Sequence, residues 1–311
     1  MWDVENAAEQ EEKRKMKKIV TLMMAVAACV QWSGALDTCL TFENDALISA
    51  GDNDYTHGTC FEVVDFDWHY KVGQNMYAPS DLRRSDHIVG DRPYAGLIYG
   101  GVGREIAFDE GSMFTHYLEV DFGMIGPSAR CKETQKFIHK ILDCRDPKGW
   151  DNQLHDEPVV NAQWWTKYNW YICDYVAFVP RAGVLAGTVQ DAAEVGCDLK
   201  IGWNLRDDVG NQILFSTTRK GGWKEKLSVW GFVGIDERYY LYNHVLEGSM
   251  FSNKDDDLKV DIEPFVPEWR CGAALRYDRF YVYYYAVFRG DEFKHQKHRP
   301  DYGGICLGFS F

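Results

Sequence analysis

An all-β fold, a closed antiparallel transmembrane β-barrel of about twelve strands with a short helix in a long extracellular loop, is what this sequence predicts. Three observations carry the prediction. Aromatic residues reach 15% (Trp 11, Tyr 18, Phe 17) while mean hydropathy is only −0.38, so apolar residues are abundant without collecting into runs. No stretch beyond the first thirty-odd residues approaches the ~20 consecutive apolar positions of a membrane helix. The final segment alternates Ile305, Leu307, Phe309 and Phe311 with Gly304, Cys306, Gly308 and Ser310, one face suited to hydrocarbon and the other to a small or polar lumen.

The N-terminus has the pattern of a secretory leader. Lys13, Arg14, Lys15, Lys17 and Lys18 precede an apolar run from Ile19 to Val30 and the small residues Ser33, Gly34 and Ala35. Cleavage is expected after Ala35, leaving 36–311 as one barrel domain. Met16 is the expected start, because Glu5, Glu9, Glu11 and Glu12 do not suit a basic leader. Lipoprotein processing at Cys29 is the rival reading. Eight of the 9 cysteines survive cleavage, in a compartment where disulfides form. Cys39 and Cys60 fall nearly opposite each other in a first hairpin; a bridge and a pair of small apolar residues are both consistent with that.

Strand-like runs bounded by Gly, Pro, Asn and Asp fall at 38–45, 56–66, 70–77, 94–106, 113–124, 161–173, 176–188, 192–204, 227–240, 266–277, 280–293 and 303–311. The aromatics of 280–285 and 239–242 suit girdles at the membrane interfaces. An even strand count puts both termini in the periplasm and turns 46–55, 78–93, 125–160, 189–191, 241–265 and 294–302 outward. The third of these is the longest. Within it Lys132–Leu142 has helical character, with Phe137, Ile138, Ile141 and Leu142 forming an apolar side and Lys132, Lys136 and Lys140 a basic one.

The net charge of −13 argues against a nucleic-acid partner, which needs clustered Lys and Arg. An anionic substrate would require a local basic patch or a bridging divalent cation. Polar residues gather at the outward ends of the first four strands: Asn44-Asp45, Asp54-Tyr55-Thr56-His57-Gly58, Gln74 with Tyr77-Ala78-Pro79, and Gly90-Asp91-Arg92. The helix adds Gln135 and His139, four apart and therefore on one face. Together these residues offer a base, a hydroxyl, and carboxylate and amide oxygens for a hard cation. Asn44, Asp45 and Asp54 are equally suited to closing a tight turn, Asp91-Arg92 reads best as a structural ion pair, and Asp255-Asp256-Asp257 as a solvated loop.

These segments, with Ile125–Ala129 and Arg289–Phe293, resemble the outer-membrane lipid A 3'-O-deacylase family over essentially the whole mature chain. The resemblance implies location in the outer membrane of a Gram-negative bacterium, dependence on Ca²⁺, and removal of the 3'-linked acyloxyacyl chain from lipid A, with lipopolysaccharide and outer-membrane lipids as partners. Carried over by position, it makes His139 the general base on a water, Asn44 and Asp45 the Ca²⁺ ligands, and Thr56 and Gln135 the residues that orient water or substrate. The chain departs from the family twice. Where the family uses a Lys to assist the oxyanion this chain has Arg83 and Arg84, with Arg83 the expected substitute. Where the family places a carboxylate after the His, this chain reads Arg145 between Asp143 and Asp146, with Asp146 the expected orienter. A phospholipase, for which Ser128 is the nearest nucleophile, a passive channel and a catalytically silent barrel are the rival readings.

Overall fold

The computed structural model describes residues 37–48, 54–65, 67–106, 113–142, 145–205 and 226–310, so the expected leader, Cys29, Asp143 and Phe311 lie outside the described residues. Twelve antiparallel strands close into a barrel. They are β1 (Asp37–Asn44), β2 (Asp54–Asp65), β3 (Trp68–Ala78), β4 (Ala95–Ile106), β5 (Phe114–Ile125), β6 (Glu157–Tyr168, continued by Trp170–Cys173 beyond a break at Asn169), β7 (Val176–Gly187), β8 (Gln190–Trp203), β9 (Leu227–Asn243), β10 (Phe265–Tyr277), β11 (Phe280–Arg289) and β12 (Tyr302–Ser310). Each pairs with its neighbours in sequence, and β1 pairs with β12 to close the ring. Helix α1 (Cys131–Leu142) stands in the β5–β6 connection and the short α2 (His244–Glu247) in the β9–β10 connection. Among the described residues no helix is long and apolar enough to cross a membrane.

Period-two alternation sorts the side chains. Tyr70, Val72, Ile98, Val102, Phe122, Trp164, Val195, Ile201, Val233, Trp269 and Phe309 stay exposed and form the apolar outer wall. Their neighbours point inward, where burial of a charge requires a partner. Arg181 donates to Asp198 at 2.6 Å, Arg270 reaches Asp198 and Asp236 at 2.8 Å each, and Arg181 also meets Asp236. Two arginines and two carboxylates from four adjacent strands thus neutralise one another inside the barrel. Tyr281, Tyr283 and Tyr285 also point inward and pack with Trp230 and Phe232. That corrects the girdle reading: on β11 only the alternate residues, such as Phe280 and Tyr284, face outward, because adjacent strand residues cannot share a face.

The outer mouth is plugged by its own loops. Buried Arg92 pairs with Glu292 at 2.6 Å and Asp54 at 3.4 Å, while Gln296 donates to Asp54 at 3.0 Å. Burial raises the Glu292 carboxyl, but Arg92 and Arg289 outweigh it and hold it below its usual range. Arg92 is therefore structural, but its carboxylate partners are Glu292 and Asp54 and not Asp91, which accepts from Ser80 Oγ and from the Ser80 and Arg92 main-chain N–H groups. Asp255 departs from the solvated-loop reading: it is buried and accepts the His155 main-chain N–H at 3.1 Å and pairs with its Nδ1 at 2.6 Å, joining the β9–β10 loop to the β5–β6 loop.

Cys39 is bridged to Cys306, with Cα atoms 6.5 Å apart, not to Cys60. In the β1–β2 register Cys39 faces Glu62 and Cys60 faces Thr41. Reading the first hairpin alone misses the last strand, which barrel closure lays along the other edge of β1. The bridge crosses the closing seam, and in the chain-entropy relation a closed loop of 267 residues implies stabilisation of about 5 to 6 kcal/mol. Peptide mapping under non-reducing conditions is expected to recover a Cys39–Cys306 link and no Cys39–Cys60 link. Cys306→Ala should lower the temperature at which the barrel loses its compact migration on gels.

Candidate functional site on the outer wall

The register brings one row of residues across four strands: Asn44 opposite His57, His57 opposite Met76, and Met76 opposite Gly96. All four lie on the lipid-facing side of their strands, near the outward ends. At about 4.8 Å per strand the row spans roughly 14 Å. Here the wall is not bare. Residues 127–131 lie over it: Gln74 Nε2 donates to the Ala129 carbonyl at 2.6 Å, and Met76, Ala78, Tyr94, Ala129, Cys131 and Trp150 pack together. Gly96 is where α1 touches down. A Cβ there would come within 2.7 Å of Cys131 Cβ and Sγ, so only glycine lets the helix lie this close.

The stripe of α1 turned to the protein is Cys131, Gln135 and His139, spaced four apart and all buried, with Gln135 at 2% and His139 at 6% exposure. Phe137, expected on the packed apolar side, is 60% exposed. The helix therefore presses a polar face on the wall, the reverse of an ordinary amphipathic helix. Its polar groups are individually held. Trp150 Nε1, which can only donate, bonds Gln135 Oε1 at 2.6 Å and so fixes which way the amide points. Gln135 Nε2 is left buried without a partner among the described residues. His139 Nδ1 meets the main-chain carbonyl of Arg145. A carbonyl only accepts, so Nδ1 carries the proton and Nε2 is the basic nitrogen of the neutral ring.

Asn44, Asp45 and Thr56 are brought together at the end of the β1–β2 pair. Asn44 Nδ2 donates to the Thr56 carbonyl at 2.7 Å, and Asn44 Oδ1 and Asp45 Oδ1 both accept the Ala46 N–H, at 2.9 and 2.8 Å. Thr56 is the extra residue of a bulge between Tyr55 and His57, and bulges re-aim side chains at functional rims. Its Oγ1 is buried without a partner among the described residues. The sequence reading quoted His57 without giving it a role. It sits in the row beside Asn44, 3% exposed, with Nε2 2.7 Å from Thr59 Oγ1, its ring edge on Phe42 and Nδ1 unpartnered. Outward strand parity at a capped rim is the signal that singles it out.

Arg83 and Asp146 are not on this buried face. Arg83 is 72% exposed at its side chain and forks onto Asp81 at 2.8 and 3.0 Å, holding that carboxyl down to about 2. Both residues line a separate open cleft of about 850 Å³ with Lys136, Phe137, Lys140, Arg145 and Lys148. The partner that Asp146 was expected to give His139 Nδ1 is the Arg145 carbonyl one residue earlier; a chain already turning back at 145 brings its backbone, not the next side chain, to the ring. Ser128 is engaged elsewhere, its N–H and Oγ donating to Asp156 at 2.7 and 2.8 Å, and no histidine partners it among the described residues.

A β-barrel with a polar cluster on its lipid-facing wall, roofed by a loop helix at the outer rim, defines an outer-membrane protein built to work on something lying in the membrane's outer layer. The chain belongs to the family described as Outer membrane protein LpxR, whose profile matches residues 18–311. It is similar to LpxR from Salmonella typhimurium, with a TM-score of 0.74 and 23% identity over 88% of this chain and 100% of that one. The β-domain of the Bordetella autotransporter BrkA (TM-score 0.45, 10% identity, 89% and 100% coverage) and the NalP translocator domain from Neisseria meningitidis (0.39, 11%, 96% and 97%) share only the general barrel. No curated protein sequence matches. The family found is the one the residues resemble, and it places the chain in the Gram-negative outer membrane.

The Trp150–Gln135 bond generates a prediction. Trp150→Phe keeps most of the buried ring but frees the Gln135 amide to rotate. Losing one buried hydrogen bond at a positioned group is expected to reduce turnover about 10-fold. Turnover within twofold of the parent, measured on a barrel of unchanged gel migration, would contradict the role given to that bond.

Proposed function

We propose that the chain is a Ca²⁺-dependent lipid A 3'-O-deacylase in which His139 is the general base. The observation that supports this reading best is the pairing of a fixed imidazole and a fixed amide donor on the one face of α1 that is closed against the membrane-facing wall. An ester anchored in the outer leaflet reaches that wall without leaving the bilayer, whereas a lumen site would require the whole lipid to be extracted.

His139 Nε2 takes a proton from water as the oxygen attacks the ester carbonyl, and the Arg145 carbonyl steadies the imidazolium that results. The same proton then passes to the departing 3'-oxygen of the sugar, leaving a free hydroxyl and the acyloxyacyl acid. Gln135 Nε2 is placed to donate to the water or to the carbonyl oxygen. Asn44, Asp45 and Thr56 would hold the cation. The donor set fits it: carboxylate, amide and hydroxyl oxygens suit a hard ion, and the unpartnered Thr56 hydroxyl is a buried atom in need of a ligand. When bound, Ca²⁺ supplies polarisation of the ester carbonyl and a counter-charge for the oxyanion.

Mass spectrometry of lipid A from a Gram-negative host expressing the chain tests the reading. The parent is expected to remove one acyloxyacyl unit, and His139→Ala at equal membrane abundance to slow removal by about 10²- to 10⁴-fold. Chelation with EGTA should abolish the purified parent's activity and Ca²⁺ restore it. Unchanged lipid A from a folded parent supplied with Ca²⁺ would sink the proposal.

A further inference from the structure

The cleft beside α1 is anomalous for a chain of net charge −13. Its lining carries Arg83, Lys136, Lys140, Arg145 and Lys148 against one acid, Asp146. Arg83 is neutralised by Asp81, and Lys132, just outside the cleft, is paired with Asp151 at 2.6 Å. Lys136, Lys140, Arg145 and Lys148 make no ion pair among the described residues. Four cations around one concavity set up a local positive field that a bound anion would neutralise.

We propose that this cleft is a phosphomonoester site, and that it holds the phosphate on the sugar carbon next to the one bearing the scissile ester. The inference rests on the deacylase reading for its substrate and adds the group by which the substrate is gripped. Lys136 and Lys140 lie four apart on the flank of α1 next to the Gln135 and His139 face. Arg145 belongs to both places: its carbonyl meets His139 Nδ1 and its side chain lines the cleft. Cleft and base are thus linked through a single residue, so one sugar ring carrying both a phosphate and an ester could reach the two together. A phosphomonoester brings a charge of roughly −1.5 to −2 and three acceptor oxygens, enough to engage several of these donors at once. Exposed Phe137 offers the ring an apolar surface in the same cleft.

The test uses the full barrel, purified in detergent with Ca²⁺, and three lipids: lipid A with both phosphates, lipid A lacking the phosphate beside the ester, and that dephosphorylated lipid A carrying acidic inner-core sugars. Lys136→Gln/Lys140→Gln and Lys148→Gln, all at exposed positions, are compared with the parent. The parent is expected to show a KM about 10-fold lower for the fully phosphorylated lipid, and each variant to lose most of that preference with kcat within about twofold. Equal KM values across the first two lipids, or variants that retain the preference, would overturn the site. Restored affinity for the third lipid would overturn it in favour of sugar carboxylates. Equilibrium binding to His139→Ala separates the two claims. Phosphate-dependent binding without acyl release by the parent keeps the site and removes the deacylase reading, whereas acyl release without phosphate dependence does the opposite.

Discussion

The contact between Cys131 and Gly96 is the constraint on which the site depends. A membrane barrel ordinarily presents hydrocarbon-compatible side chains over its whole outer wall, because unsatisfied polar groups there are costly. This wall breaks that rule along Asn44, His57 and Gln74 near the outward ends of the first strands. It can do so because α1 and the residues before it cover the strip. The absence of a side chain at Gly96 sets how near the helix comes, and the four-residue spacing of Cys131, Gln135 and His139 converts that one contact into a buried polar stripe.

Everything around the strip works to keep it still. The paired arginines and aspartates inside the barrel, the tyrosines of β11 and the Cys39–Cys306 bridge fix the wall against which the helix rests. The Asp255–His155 contact tethers the loop that returns from α1, and the Arg92–Glu292 pair holds two other loops together in the mouth. Trp150 then orients Gln135, and the Arg145 carbonyl orients His139. A site built this way is preorganised by a rigid scaffold, which is the usual condition for electrostatic help to a developing charge. The filled lumen and the outward-facing cluster also fit surface chemistry better than passive transport.

Much of this was legible in the sequence, for physical reasons that differ by element. The strands announce themselves by period two, so Ile305, Leu307 and Phe309 mark the lipid face without any structure. Helix α1 was legible as a helix, yet its orientation was not: hydrophobicity points to Phe137 as the packed side, whereas the docked face is set by Gly96 on another strand. Closure was equally invisible locally, so the partner of Cys39 was sought in the nearest hairpin and found 267 residues away. A carboxylate at Asp146 is what sequence spacing offers His139, whereas the chain presents the backbone carbonyl of Arg145, a group that side-chain identity does not reveal. His57 went unassigned because its outward parity at a covered rim emerges only once the bulge at Thr56 is seen.

The proposed chemistry depends on the docked helix. Gly96→Leu would drive a side chain into Cys131 and lift α1 from the wall while leaving the barrel's lumen, seam and mouth untouched. Lipid A mass spectrometry on a host making this variant, with barrel folding checked by gel migration, should show acyl removal lost. Undiminished removal by a folded Gly96→Leu barrel would mean that the chemistry does not depend on α1 lying against the outer wall.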